Sequence, residues 1–362
     1  MTTHRPFIAL DLDGEGAHPA AAAWTGATAR EAYSGARLAR RARAAEIAGF
    51  HALVLADRAL DARTEAHPVN LAATHAAAFL APVTRRTVLI AEADVVLTEP
   101  FHLAMQLMTL DQNSLGRAGW LVRGADAPTE AAAFGREAPD RRRVRQEVTD
   151  AVEVNRRLWD SWEDDAEIRD VATGRFIDAE KIHHIDFVGE HYSVKSAAIA
   201  PRTPQGQVPV IAPRELVDPA ADVDVVQVRA ESVPELVEAV RHARAEGFGA
   251  VLAEVAVAVD HLGVPADVRL AQLNERQEWA PGALASGNAA EVVDDLAAVL
   301  AVADGVRLRP AVFDVDAAAL ATEVLPALRA RTPLADGPID GTFRDLLGLT
   351  RPVSRYAVTQ QD

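Results

Sequence analysis

The stretch TLDQNSLGRAGW, residues 109–120, carries the chain out of a helix and into a strand. Pro100 stands at the head of the helical run that continues through Gln112, where a missing N–H costs nothing because the first N–H groups of a helix lack partners anyway. Gly116 and Arg117 then form a turn, with Arg117 expected to pair an acidic neighbour, and residues 118–122 read as a short apolar strand. The same alternation extends in both directions. Upstream, strands at 7–12, 51–55 and within 87–96 are separated by helical runs at 28–48 and 70–80. Thr28 and Glu31 have capping-box spacing and Gly49 is a helix stop. Downstream come a long helix at 139–162, strands at 208–211, 223–228, 250–257 and 306–308, and helices at 233–246, 289–302 and 317–331.

Eight short apolar strands interleaved with helices predict an α/β fold, a (β/α)8 TIM barrel, as a single barrel domain over residues 1–362. A doubly wound sheet is the alternative, because strand order is not written in periodicity. Two intervals break the rhythm. Residues 164–209 are too long for a βα loop and carry hairpin signals around Gly174 and Gly189, so they read as an insertion, a lid over the mouth. Residues 212–222, with Pro213 and Pro219 inside, are too short for an ordinary parallel crossover, which needs about a dozen residues and a helix. The fifth crossover is therefore expected to be shortened.

Composition narrows the function. A 49% hydrophobic, 25% charged chain can bury a large core and stay in solution. The net charge of −16, spread along the chain, disfavours nucleic acid and anionic membrane as partners. With no bilayer-length apolar run, no leader-like start and no cysteine, a cytoplasmic location is expected, without disulfides or thiolate metal sites. His183, His184 and Asp186 are too incomplete a set for a metal, since adjacent residues of a strand face opposite sides; no metal is expected. Trp159 and Trp162, at i and i+3, are expected to pack the outer helical ring.

Residues 109–120, LWDSWEDDA at 158–166, Leu55-Ala56-Asp57 and LLGLTRPVSR at 346–355 together resemble the bacterial-luciferase-like flavin monooxygenases. The nearest branch is the nitrilotriacetate, dibenzothiophene-sulfone and pristinamycin-synthase group. The resemblance implies FMN, used as FMNH2 from a separate flavin reductase, bound at the C-terminal mouth of the barrel, with an unknown small-molecule substrate. It also implies a dimer formed through helices beside the second and third strands.

Position by position, the implied flavin pocket is altered. Asp57 matches the family's aspartate after the second strand. The family's third-strand Ala-Thr-Ala-Ser is replaced by Ala91-Glu92-Ala93-Asp94, whose two carboxylates share one side and need a cation, with Arg123 the expected partner. The fourth strand, usually Trp-Asn-(Ile/Val)-Val-Thr-Ser, is Trp120-Leu121-Val122-Arg123-Gly124. The family's Arg-Tyr pair keeps only Arg145. Its phosphate-binding Gly-x-Ser-x-x-Gly-Arg segment is missing, because Ala212-Pro213 runs straight into Arg214. Arg123, Arg145 and Arg214 are the cations left for a phosphate, and His18 and Trp24 fall on the implied substrate side. Two readings follow: a flavin-dependent monooxygenase family member with a remodelled cofactor pocket, or a non-catalytic member, such as the inactive partner of an intact homologous subunit. A barrel binding another small ligand at the same mouth is a third.

Overall fold

Strands buried on both faces read as nearly continuous apolar runs, and they need helices outside and a packed interior. The computed structural model describes residues 5–12, 14–26, 28, 31, 34–57, 71–336 and 341–357. The described residues form thirteen strands: β1 (Phe7–Asp11), β2 (Ala52–Leu55), β3 (Val88–Asp94), β4 (Ala118–Arg123), β5 (Glu167–Asp170), β6 (Arg175–Ile177), β7 (Phe187–Val188), β8 (Ser193–Val194), β9 (Val210–Pro213), β10 (Val225–Val228), β11 (Ala250–Val259), β12 (Leu284–Gly287) and β13 (Gly305–Pro310). Eight of them, β1-β2-β3-β4-β9-β10-β11-β13, close a parallel ring, sealed where Phe7–Leu10 run beside Gly305–Leu308. The (β/α)8 barrel expected from the alternation is the observed fold. The short β12 pairs only with the far end of β11 and lies outside the ring; its Leu-Ala-Ser-Gly composition gave no strand signal.

The period of two sorts each strand. Ile8, Leu10, Leu89 and Ala91 face the helices, while Phe7, Ala9, Ala52, Val54, Val88, Ile90, Leu121, Ile211, Val225 and Leu252 fill the interior. Phe343, Leu346 and Leu347, on and just after the short helix Phe343–Leu346, join that interior cluster and plug the N-terminal end. Phe343 meets Phe7 edge-on at 6.1 Å. Gly119 makes room for it: a Cβ there would stand 2.7 Å from Phe343 Cε1.

The sequence runs that carry the family resemblance are structural. Asp111 accepts hydrogen bonds from Gln205 N at 3.2 Å and Nε2 at 2.6 Å, and Gln205 Oε1 accepts from Arg344 N at 3.0 Å. Asp160 receives Arg202 Nη2 at 2.6 Å and Arg355 N at 3.1 Å, while Ser354 Oγ donates to its carbonyl at 2.9 Å. The tail, the insertion and the long helix Arg141–Asp160 are stitched together there. Trp159 packs the outer layer, edge-on to Trp120 at 6.2 Å, but Trp162 turns to the insertion and donates to Ala198 O at 2.9 Å.

The insertion folds as two hairpins, β5–β6 and β7–β8, as the signals around Gly174 and Gly189 indicated. Several other local expectations are corrected. Thr28 and Glu31 do exchange capping hydrogen bonds, yet the long helix begins only at Gly35. Residue 70, the expected start of the second helix, lies outside the described residues. Arg117 pairs no acid among the described residues; it donates instead to the carbonyls of Ala81, Thr84, Thr87 and Ser114. The last long helix starts at Phe313 and is interrupted by a π-turn, Leu320–Val324, just ahead of Pro326. Helices Pro128–Ala133 and Ala266–Asn274 were not anticipated. No described helix is long and apolar enough to cross a membrane.

Candidate functional site

Where the interior alternation reaches the C-terminal mouth, it changes from apolar to charged. Two residues beyond Ala9, Ile90, Val225 and Leu252 come Asp11, Glu92, Gln227 and Glu254, and β13 contributes Arg307 and Arg309. Arg307 is 2% exposed and ties four strands: Nε and Nη2 to Asp11 at 2.6 and 3.0 Å, Nη2 to Glu92 at 3.1 Å, and Nη1 to Glu254 at 3.3 Å and Gln227 Oε1 at 3.5 Å. Gln227 Nε2 closes the circuit on Glu254 at 2.6 Å. Arg309 and Arg229 hold the other Glu254 oxygen at 2.8 and 3.2 Å. Burial alone would raise Glu254, but Arg309, Arg307 and Arg229 together hold it down at about 2. Burial keeps Asp11 above the usual range against the pull of Arg307. The same surroundings raise Arg307, so it stays charged.

Asp94, at the end of β3, anchors the loop that follows. Its Oδ1 accepts from Val96 N at 2.9 Å and Leu97 N at 2.7 Å, its Oδ2 from Ala125 N at 2.5 Å, and Arg123 Nη1 lies 3.6 Å away. Burial pushes its carboxyl up to about 6 against these partners. Glu92 and Asp94 thus share the mouth, but their cations differ: Arg123 for Asp94, and Arg307 rather than Arg123 for Glu92. Arg123 also holds Glu130, from the first turn of helix Pro128–Ala133. Burial raises the half-buried Asp57, Arg123 opposes it, and Glu92 and Glu130 add to the rise.

A cavity of about 660 Å³ opens above the ends of β3, β4, β9 and β10. Its walls include Glu92, Arg123, Asp126, Glu130, Arg141, Glu215, Gln227 and Arg229. Arg123 and Arg229 are committed to carboxylates, and among the described residues Arg141 alone of the three wall arginines has no ion pair. The fifth crossover is short, as expected: β9 is followed by a single 3-10 turn, Arg214–Leu216, before β10. Arg214 turns away to Glu246, with Nε donating at 2.8 Å. Arg145 stitches the crossover down, donating to Glu215 O at 2.7 Å and Asp218 at 2.6 Å. Of the three arginines left for a phosphate, only Arg123 lines the cavity.

His18 and Trp24 stand apart from the mouth cavity. His18 is buried, accepts from Ala20 N at 3.1 Å, faces Asn274 Oδ1 at 3.1 Å and packs on the Trp279 ring at 5.0 Å; burial lowers its pKa. Trp24 packs against the small cluster of Ala20, Ala21, Leu273 and Val312. Neither lines the mouth cavity. His183 bonds Glu163 at 2.8 Å and stacks on Tyr356, and no metal-binding group occurs among the described residues.

These residues do not fit FMN held by its phosphate. The β9–β10 connection offers no helix N-terminus, Glu215 sits in its 3-10 turn, and two of the three candidate arginines point elsewhere. The polar circuit around Arg307 escaped the sequence reading. Its signal was available: charged residues at inward positions of otherwise apolar strands, Asp11 in FIALD, Glu254 in VLAEV, and Arg307 and Arg309 in VRLRP.

Comparison with known proteins agrees with this architecture. N-acetyl-S-(2-succino)cysteine monooxygenase of Bacillus subtilis (strain 168) is 44% identical over 133 residues, 36% of this chain and 30% of that protein. The match thus spans about a third of that relative's length. One of the subunits of pristinamycin IIA synthase, from Streptomyces pristinaespiralis, is 29% identical over 325 residues, 89% of this chain and 92% of its own. Nitrilotriacetate and dibenzothiophene-sulfone monooxygenases are relatives as well. Among solved structures, riboflavin lyase superposes with a TM-score of 0.81 at 21% identity, covering 98% of both chains, a likeness of fold. The luciferase-like monooxygenase profile matches residues 16–267, and the chain belongs to that family.

Proposed function

We propose that this protein works within a flavin-dependent monooxygenase system as a barrel that does not retain FMN by itself, paired with an intact homologous subunit. The observation that carries this reading is the β9–β10 connection. It opens with a 3-10 turn containing Glu215, where a phosphate needs a helix N-terminus and free N–H donors. Losing several charge-assisted hydrogen bonds, at about 1.5–3 kcal/mol each, weakens micromolar binding roughly a thousandfold. The relative that covers most of the chain is itself named as one subunit of a synthase, which supports the partner role.

A second reading, a monooxygenase that takes FMNH2 from a reductase into a remodelled pocket, is favoured by the size of the mouth cavity, about 660 Å³. Titration of the purified protein with FMN, and anaerobically with FMNH2, separates the two. Weak binding alone and firm binding after co-purification with an intact homologue is the expected result. Tight, stoichiometric binding by the isolated chain would overturn the proposal in favour of the second reading.

A further inference from the structure

None of the described residues of the insertion lines the mouth cavity; the segment that walls it follows β4. Residues 124–140 run between the end of β4 at Arg123 and the long helix at Arg141, where a βα connection usually takes about 2–6 residues. Gly124, Asp126, Ala127, Thr129 and Glu130 face the mouth cavity. The other arm, Arg136, Glu137 and Pro139, borders a separate cleft of about 270 Å³ beside Val96 and Leu97. Unfilled space along both arms deprives the segment of packing partners. Within helix Pro128–Ala133 only Glu130 and Ala131 are buried, and residues 132–137 are exposed, Phe134 at 51%.

What holds this segment down is polar and local. Glu130 pairs with Arg123, and Ala125 N donates to Asp94 Oδ2 at 2.5 Å. The first of these contacts is incomplete: Glu130 is 4% exposed, and its Oε1 has no hydrogen-bond donor. A buried carboxylate oxygen left without a donor carries a desolvation cost, which hydration on opening removes. Both bases are fixed. Gly124 is pressed against Val144 of the long helix, and Arg136 Nη1 donates to Val96 O at 3.0 Å. Between them Gly135 supplies a pivot, with φ +66° and open space where a side chain would stand. We propose that residues 125–134 form a lid on the mouth cavity, latched by Glu130 on Arg123 and pivoting at Gly135. Closed, the lid occupies Arg123 with a carboxylate of its own chain. Open, it widens the cavity and presents that guanidinium to the mouth. Lid movement does not depend on whether FMN is retained.

Hydrogen exchange of the unmodified chain, followed by mass spectrometry, tests the lid without any substitution. Amides of residues 125–134 are expected to exchange at least about a hundredfold faster than those of β4. Their rate should be indifferent to low urea, because local opening uncovers little surface. Glu130→Gln weakens the latch and should speed lid exchange about tenfold while leaving β4 unchanged. An exposed loop without a latch would exchange equally in both proteins, and that result overturns the lid. A buried thiol gives a second readout. The chain has no cysteine, so Ala131→Cys, at a position 3% exposed, and Ala91→Cys, at one 0% exposed on β3, each carry a single thiol. With dithionitrobenzoate the Ala131→Cys thiol should react at least about a hundredfold faster than the Ala91→Cys thiol, and faster again with Glu130→Gln. Lid amides that exchange only with global unfolding, showing the urea dependence of β4, overturn the proposal, as does equal reactivity of the two thiols.

Discussion

Arg307 and Asp11 meet side-on across the seam that closes the barrel, Nε to Oδ1 at 2.6 Å and Nη2 to Oδ2 at 3.0 Å. The same guanidinium reaches Glu92 and Glu254, so one cation compensates carboxylates from three strands. Arg307→Met would strand those charges at a buried position. Breaking a buried pair from one side costs about 3–5 kcal/mol, and urea denaturation should show a loss of that order. Adding Asp11→Asn and Glu92→Gln to the variant should recover part of it, because the uncompensated charge rather than the missing contact carries the cost.

Asp94 should give the mouth a distinctive pH signature. Its carboxyl is raised by burial to about 6, so between its ordinary value and 6 the folded protein binds the proton more readily than the unfolded chain. Its contribution therefore increases as pH falls from 7 towards 4, by up to about 3 kcal/mol. Glu254 runs the other way: held at about 2, it stabilises above its ordinary value, and that contribution is lost only as pH falls towards 2. His18 and His51, lowered by burial, also oppose Asp94 on acidification. The test is the difference between wild type and Asp94→Asn: the melting temperature gained from pH 7 to pH 5 should shrink in the variant. An equal gain in both proteins would remove Asp94 from the account.

The barrel was legible because its signals are repeated and local. Eight apolar strands carry the period of two, and Pro100 and Gly49 mark helix ends where they were expected. The family was legible for a different reason. Asp111, Asp160 and Ser354, within the diagnostic runs, hold the tail and insertion to the outside of the barrel and its N-terminal end, where geometry serves stability rather than chemistry. The mouth was only half legible. The carboxylates on β3 and the missing β9 segment stood out against the family pattern, but Arg307 and Glu254 pair across 53 residues of chain, a relationship no local spacing encodes. The same limit applies to Arg145 and Arg214, whose partners Asp218 and Glu246 are set by how the crossover folds.

The plug at the N-terminal end predicts a steric effect far from the mouth. A Cβ at Gly119 would lie 2.7 Å from Phe343 Cε1 and 2.9 Å from its Cδ1, closer than real side chains approach, with Ile90 Cγ1 crowding it at 3.1 Å. Gly119→Ala should destabilise by about 1–3 kcal/mol, the usual range for overpacking a filled interior. Phe343→Leu in the same chain should return part of that loss, measured by thermal melting. Full additivity of the two changes would mean that the ring and the glycine are not in contact.

The most direct test of the proposed loss of a phosphate site is to build one into the β9–β10 connection. Inserting a Gly-x-Ser-x-x-Gly-Arg segment between Pro213 and Arg214 lengthens the β9–β10 connection enough to turn a helix N-terminus toward the mouth, where backbone N–H groups and a hydroxyl can meet a phosphate. Two or three regained charge-assisted hydrogen bonds, at about 1.5–3 kcal/mol each, should raise FMN affinity at least tenfold. The graft leaves Glu92 and Asp94 in place, so recovery should be partial. Adding Glu92→Thr alone should not complete it, because Arg307 would then lose a partner and the floor of the mouth would shift. Asp57→Ala serves as the contrast: it lies outside the phosphate route, and FMN affinity should change less than about twofold. If the graft folds, with unchanged circular dichroism and melting temperature, yet binds FMN no better, then the phosphate segment is not what limits flavin binding. The charged floor around Arg307 would then be the obstacle.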